Sequence, residues 1–489
     1  MKMEKMACLL VFVVMFGACD NMPSGKNSKQ VNKIPEINPG YSGLTIPVNI
    51  APLNFVIEEE GDAFFVEIGN QPDKSIKISS SDGVVKIPEK KWKKLLSGNK
   101  NGEIEYKVFV QKDGVWSQYE PFTNRISGSP VDPYLYYRLL YPGYESWTEI
   151  SIMQRSLESF KERTVVKNNV VGQNCVNCHS FNQQNPGNFM FHMRGSMGGT
   201  YFVTDGDLEK FNLKTKEMEN GAVYPRWHPS GKYVAFSSNK VVQQFHSMAG
   251  KKIEVSDLNS TLILFDRDKN EIMDIPVNPD RLYMDTYPEW SPDGEYLYFC
   301  RAKQIGPGYD YRDIKYDLYR VHFDAGKRKF GEAGLVFDAS GNSKSVSFPR
   351  ISPDGKSLVF TYHDYGCFPI WHKEADLYCV NLENIQTSKL DLNSDFTDSY
   401  HSWSSNGRWM VFSSKRGDGL SARPYISYID NNGTAHKPFI LPQEDPAFYS
   451  HFLKTFNIPE FAKPEVSFTP GELRRAAAKT AIQAKWSSN

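Results

Sequence analysis

Tyr287-Pro288-Glu289-Trp290-Ser291-Pro292-Asp293-Gly294, followed by EYLYFC, decides the fold because the chain repeats it. Tyr224-Pro225-Arg226-Trp227-His228-Pro229-Ser230-Gly231 precedes KYVAFSS, and Phe348-Pro349-Arg350-Ile351-Ser352-Pro353-Asp354-Gly355 precedes KSLVFTY. Tyr400-His401-Ser402-Trp403-Ser404-Ser405-Asn406-Gly407 precedes RWMVFSS. Each copy reads as an aromatic strand, a tight turn and an apolar strand, with glycine supplying the positive φ that a short hairpin needs. Spacings of 63, 61 and 52 residues between turn glycines suit one four-stranded blade per repeat, with variable insertions. A weaker unit precedes these, with Phe189–Arg194 as its inner strand and Gly195–Gly199 as its turn. The expectation is a β-propeller over 186–442 with five recognisable blades. A sixth would come from flanking segments, because a ring must close without raw strand edges. Residues 443–489 then form a C-terminal extension ending in an Ala-rich helix over 471–486.

Working outward, residues 43–127 alternate short β-like runs (LTIPVNI, AFFVEI, EIEYKVFV) with turn signals such as Asp113-Gly114. That pattern predicts a small immunoglobulin- or fibronectin-like β-sandwich over 41–127, with Lys90–Leu96 (KKWKKLL) as one helical turn. In the connector 128–185, Ile150, Met153, Leu157 and Phe160 recur at spacings of three and four, which predicts a helix over 145–162. The fold class expected is mainly all-β: a five- or six-bladed propeller, preceded by a sandwich and a short helical connector.

Composition narrows function. With 57 basic and 57 acidic residues among 489 the net charge is zero, so no cationic excess is available for nucleic acid. Hydrophobic residues at 40% and charged residues at 23% describe a globular chain, and no later apolar run approaches the ~20 residues of a membrane-spanning helix. The N-terminus reads differently. Lys2 and Lys5 precede the 12-residue apolar stretch Ala7–Ala18, a signal-peptide core over 1–18. Phe16-Gly17-Ala18-Cys19 resembles a bacterial lipobox, with Phe16 where Leu is usual, so Cys19 would carry lipid and 19–40 would be a flexible tether. Cleavage and lipidation leave five cysteines, an awkward number for a disulfide framework in an exported protein.

Asn174-Cys175-Val176-Asn177-Cys178-His179 holds a Cys-x-x-Cys-His motif. In an exported bacterial chain it reads as attachment of one covalent haem c, with Cys175 and Cys178 as thioether anchors and His179 as proximal iron ligand. A Cys175–Cys178 disulfide, a zinc site using these residues with His192, and chance are the alternatives. In FMFHMRG (189–195), Met193 and His192 are the candidate distal ligands; Met would raise the reduction potential relative to a second His.

The repeats resemble the WD40-like (PD40) propeller repeats of the TolB family. The whole layout, with the lipobox, NCVNCHSFN, FMFHMRG and YSHFLKTFNIPEF (449–461), resembles TolB-like lipoproteins of Bacteroidota. The resemblance implies an architecture rather than a role. The expectation is therefore an envelope protein, anchored by lipid at the outer membrane, that uses haem c for electron transfer or redox sensing and docks an envelope partner. The alternative is a non-enzymatic scaffold binding an envelope protein or glycan. No nucleophile motif such as Gly-x-Ser-x-Gly argues for an enzyme. The long insertions, 239–260, 301–317, 362–376 and 415–424, all fall between second and third strands. They would gather on one face of the ring, as a recognition surface or simply packed on one another.

Overall fold

A computed structural model describes residues 23–25, 27–144, 149–172, 174–246, 251, 253–306 and 308–487; the side chains of residues 170, 171 and 178 lie outside the description. Cys19 and the predicted signal peptide also lie outside it. Among the described residues, no helix is long and apolar enough to cross a membrane.

The repeats fold as the sequence pattern requires. Six sheets built alike succeed one another, each beginning at a strand nearest a common axis. In chain order these strands are β1 (Cys175–Asn182), β2 (Ala222–Trp227), β3 (Tyr283–Trp290), β4 (Ser345–Ile351), β5 (Asp398–Trp403) and β6 (Thr455–Ala462). Behind β1 to β5 the next three strands follow in sequence order, all antiparallel, as in a β-propeller. The turn glycines Gly231, Gly294, Gly355 and Gly407 have φ of +72°, +78°, +73° and +67°, the conformation that selects glycine there. Apolar side chains interdigitate between neighbouring sheets. Phe202, Trp227, Phe236 and Phe265 join the first two, and Trp290, Leu297, Phe299 and Phe323 serve the next.

Three expectations are corrected here. The first unit begins earlier than Phe189: its inner strand is Cys175–Asn182, and Asn185–Arg194 is its second strand. The intervening turn, Gln183-Gln184, reaches φ of 48° and 57° without glycine, so the hairpin carried no turn signal, while the apolar second strand looked like an inner one. The helix over 145–162 is absent where the chain is described. Ser151–Ser156 and Glu162–Lys167 are strands, the first buried on both faces so that it loses a clean alternation. The C-terminal extension is not an appendage. Its Thr455–Ala462 segment is β6, the inner strand for Tyr134–Leu140, Ser151–Ser156 and Glu162–Lys167, so segments far apart in sequence are stitched into one sheet.

The C-terminal helix runs only over Pro470–Ala478, started by a reciprocal Thr469–Glu472 capping box. Ile482–Gln483 and Lys485–Trp486 then add as outer strands to the sheets of β1 and β2. Part of the expected tether is also ordered. Lys29–Val31 pairs in parallel with Val115–Tyr119, and Ile37–Asn38 pairs antiparallel with Phe55–Ile57. These strands belong to a seven-stranded and a three-stranded sheet, between which the helix Glu89–Gly98 buries Trp92, Leu95 and Leu96. One apolar core joins this unit to the propeller, with Ile46, Phe55 and Tyr106 in the same cluster as Trp409, Val411 and Ile426. Asp132 completes the joint, accepting from Ser405 N and Oγ at 2.7 and 2.6 Å.

Candidate functional site

Every inner strand carries a bulge at the same step, where two residues oppose one on the second strand. In β2 to β6 the first bulged residue has positive φ: Tyr224 (52°), Tyr287 (51°), Phe348 (52°), Tyr400 (49°) and Ile458 (49°). A bulge re-aims side chains, and here it turns them inward to the axis. The rings of Tyr224, Tyr287, Phe348 and Tyr400 pack in succession, tilted or edge-on, with centroids 4.5, 4.2 and 4.6 Å apart, plugging the centre. Two residues further on stand Ser180, Arg226, Glu289, Arg350, Ser402 and Glu460. All but Ser180 line a 320 Å³ cavity at the tight-turn end of the axis, with Trp290, Trp403, Pro353 and Lys463 at its walls.

The floor of this cleft is a buried charge quartet. Arg226 holds Glu289 through Nε (2.9 Å) and Glu460 through Nη1 (2.9 Å), and Arg350 Nη1 lies 3.5 Å from Glu289. Burial and the facing Arg226 push the Arg350 guanidinium down to about 9, still cationic at neutral pH. Burial pushes the Glu460 carboxyl up, against the pull of Arg226 and Arg350. His401 donates Nε2–H to Val359 O (2.8 Å), and burial beside Arg350 pushes its imidazole down to about 3. Several buried atoms here have no hydrogen-bond partner among the described residues: Ser180 Oγ, Ser402 Oγ, Arg350 Nε, Glu460 Oε2, His401 Nδ1 and His179 Nε2. Each such atom costs about 1–3 kcal/mol in a dry interior, so the three on residues that line the 320 Å³ cavity, Ser402, Arg350 and Glu460, mark a place where a polar occupant belongs.

The sequence-predicted site meets this cleft at one residue. His179 is the second bulge residue of β1, 4% exposed, with Nε2 3.6 Å from Glu460 Oε2. Burial, with Arg138 and Arg226 nearby, pushes its imidazole down to about 3. Cys175 begins β1 at the opposite end, half-buried, a free thiol whose Sγ accepts from Asn177 Nδ2 at 2.9 Å. Cys178 is the first bulge residue, and its side chain lies outside the description. Met193 is fully buried among Val176, Phe191 and Tyr201, whereas His192 alternates to the other face of the strand, with Nδ1 3.2 Å from Thr200 Oγ1.

The residues as placed do not hold a haem. A porphyrin must sit against the imidazole, yet the cavity beside His179 measures 30 Å³, room for about two waters at ~10–15 Å³ each. The motif is an inner β-strand hydrogen-bonded along its length, not the helical connector expected. Its bonding includes Arg138 on the neighbouring sheet donating to Asn177. Among the described residues no group of three or more His, Cys, Asp or Glu side chains is arranged to hold a metal ion.

Sequence reading missed Arg226, Glu289, Arg350 and Glu460. The signal was present as Pro-Arg, Pro-Glu, Pro-Arg and Pro-Glu at one step of four repeats, including Ile458-Pro459-Glu460 in the C-terminal segment. The insertions pack largely on one another. Tyr365 donates to Glu254 (2.8 Å) and accepts from Lys251 (2.8 Å), and His363 and His372 are buried with rings 4.9 Å apart. The 239–260 insertion is mostly an extended hairpin, Tyr233–Phe245 with Ile253–Asp266.

No family model matches the chain, and no curated protein matches it. Among solved structures it is similar to a chain of a nidogen/laminin complex (8% identity, 68% of this chain and 100% of that chain, TM-score 0.40). It is also similar to hydrazine synthase of Kuenenia stuttgartiensis (12%, 53% and 64%, TM-score 0.31). A third is prolyl oligopeptidase B from Galerina marginata (11%, 68% and 42%, TM-score 0.34). Likeness at this level carries no functional weight; the propeller rests on the chain's own strand order.

Proposed function

We propose that the protein is an exported, lipid-anchored binding protein of the cell envelope, a six-bladed propeller that takes a small polar ligand in its axial cleft. The supporting observation is the row of unspent polar atoms around the Arg226–Glu289–Arg350–Glu460 floor. Two guanidinium and two carboxyl groups leave the floor nearly neutral while exposing donors and acceptors side by side. The chemistry that matches is a neutral or zwitterionic molecule with both kinds of group, such as an amino acid or a sugar. A net anion or cation would leave half the floor unanswered, at the cost of unpaired buried charge. Docking of an envelope protein or glycan on the rim is compatible with this reading, as propeller faces present many loops at once. Anchoring through Cys19 at the outer membrane rests on the N-terminal sequence.

Haem c attached to Cys175 and Cys178 is the second reading. It is favoured by the free thiol of Cys175 and the unpartnered Nε2 of His179, and it requires β1 to leave the axis. One measurement addresses both readings: native and denatured mass spectra of protein extracted from its own membrane. The binding reading expects a small non-covalent mass, lost on denaturation and lost in Arg350→Met. A covalent mass retained through denaturation, with a visible haem band, would replace it with the haem reading. Polypeptide plus lipid alone, in both spectra, would overturn both.

A further inference from the structure

We infer a second binding site, on the insertion-bearing face, for an organic carboxylate. Three insertions, Pro142-Gly143 of the connector and the entry to β5 line a 420 Å³ cavity, within the size range of small-molecule pockets. Its wall is apolar: the Trp371 ring, Phe396, and Leu420, which is 45% exposed. The Gly419 turn closes tightly on Phe396, since a Cβ on Gly419 would come within 2.9 Å of that ring. Lysines supply the polar groups. Lys415 is 9% exposed and its Nζ lies 4.8 Å from the centroid of the Trp371 ring; among the described residues it has no hydrogen-bond or ion-pair partner. Lys373 stands over Phe396 at 4.9 Å, and Lys251 lines the same space but is held by Glu254 at 2.7 Å.

An aromatic face attracts an ammonium group but does not replace the water it has lost. The nearby Asp418 carboxylate attracts the ammonium but makes no ion pair with it, its Oδ1 being engaged by the backbone N–H groups of Leu420 and Ser421 at 2.8 and 2.6 Å. A largely buried ammonium that no carboxylate contacts directly, at one side of an apolar cavity, suits an anion carried on an apolar body. A carboxylate fits best, because its oxygens would meet Lys415 and Lys373 while the attached carbon skeleton covers Trp371, Phe396 and Leu420. Burial also lowers the Lys415 amine to about 8, so it remains mostly charged at neutral pH and reactive above it. The site shares no residue with the axial cleft, so either can fail alone.

The test titrates the full mature chain calorimetrically with 3-phenylpropionate and with its neutral amide. Saturable binding of the carboxylate is expected, at least tenfold weaker binding of the amide, and at least tenfold loss in Lys415→Met. A second measurement uses the unaltered protein: acylation of the Lys415 amine by a succinimidyl ester, read by peptide mass spectrometry, should slow severalfold when the carboxylate is present. Equal binding of acid and amide, no saturable binding, binding unchanged in Lys415→Met, or labelling indifferent to ligand would each overturn the assignment. Inorganic phosphate competing as strongly as the carboxylate would overturn its organic part.

Discussion

The two ends of the propeller bury cations in opposite ways. At the turn end, Arg226 and Arg350 lie against Glu289 and Glu460. At the insertion end, Lys415 lies against an indole and, among the described residues, has no ion-pair partner. The difference comes from how each place is built. Residues at one step of a repeated strand arrive at the axis together, so alternating signs from neighbouring units neutralise one another. An insertion belongs to one unit alone and brings no partner with it. Charge at the axis therefore holds the ring together, while charge in the insertions stays available to something outside the chain.

Removing Arg226 should break this contrast most strongly. Arg226→Ala leaves Glu289 and Glu460 buried without their shared partner, and the expected loss is about 3–5 kcal/mol, as for other buried pairs broken from one side. Thermal unfolding should show it directly, and adding Glu460→Gln should recover part of the loss, since the carbonyl of an amide needs no counter-charge. A melting temperature unchanged in Arg226→Ala would mean that the quartet is not sealed from water.

The axial histidine sharpens the comparison through pH. His401 titrates near 3 in the folded chain, against an ordinary value near 6.5 when unfolded. Between those values the unfolded chain binds a proton that the folded chain refuses, so stability falls as pH drops below 6.5. The slope for one imidazole is about 1.4 kcal/mol per pH unit. Denaturant unfolding at pH 6.5 and 5.5 should therefore differ less in His401→Asn than in the unaltered protein, by about 1 kcal/mol, because the unfolded imidazole is already half protonated at pH 6.5. Equal pH slopes in the two proteins would show His401 to be reached by solvent.

Legibility in the sequence followed the same division. Four inner strands announced themselves through a turn glycine, three of them through proline as well. The first, NCVNCHSFN, did not: its turn is Gln183-Gln184, and its polar residues look like a motif rather than a strand. The last was hidden because β6 completes a sheet whose other strands lie some three hundred residues earlier, a pairing that no local pattern reveals. The Cys-x-x-Cys-His spacing pointed to haem chemistry, yet the bulge it occupies is the structural equivalent of Tyr224-Pro225 and its counterparts. The charge quartet was readable only by aligning the repeats and asking what one step shares. The sequence put the insertions on one face as a possible recognition surface but could not show the Lys415 pocket among them, because its walls come from loops whose packing is set by no repeat.

Lys415 should give an effect of similar size to that of His401, and one of opposite sign to that of Arg226. Its amine titrates near 8 folded and near 10.5 unfolded, so at pH 7 both states carry the charge, but the folded chain bears the cost of having desolvated it. Between pH 8 and 10.5 the unfolded chain holds a proton that the folded chain has released, and stability rises with pH as that cost is relieved. Lys415→Met, which keeps the length of the side chain and its contact with Trp371, should thus stabilise the protein at pH 7 by about 1–2 kcal/mol, allowing for the lost attraction to the ring. The gain should shrink towards zero above pH 10, where the lysine is neutral in both states. A neutral or destabilising substitution at pH 7 would mean that water or an anion already answers the charge, and the two ends of the propeller would then differ in geometry but not in how they treat a buried cation.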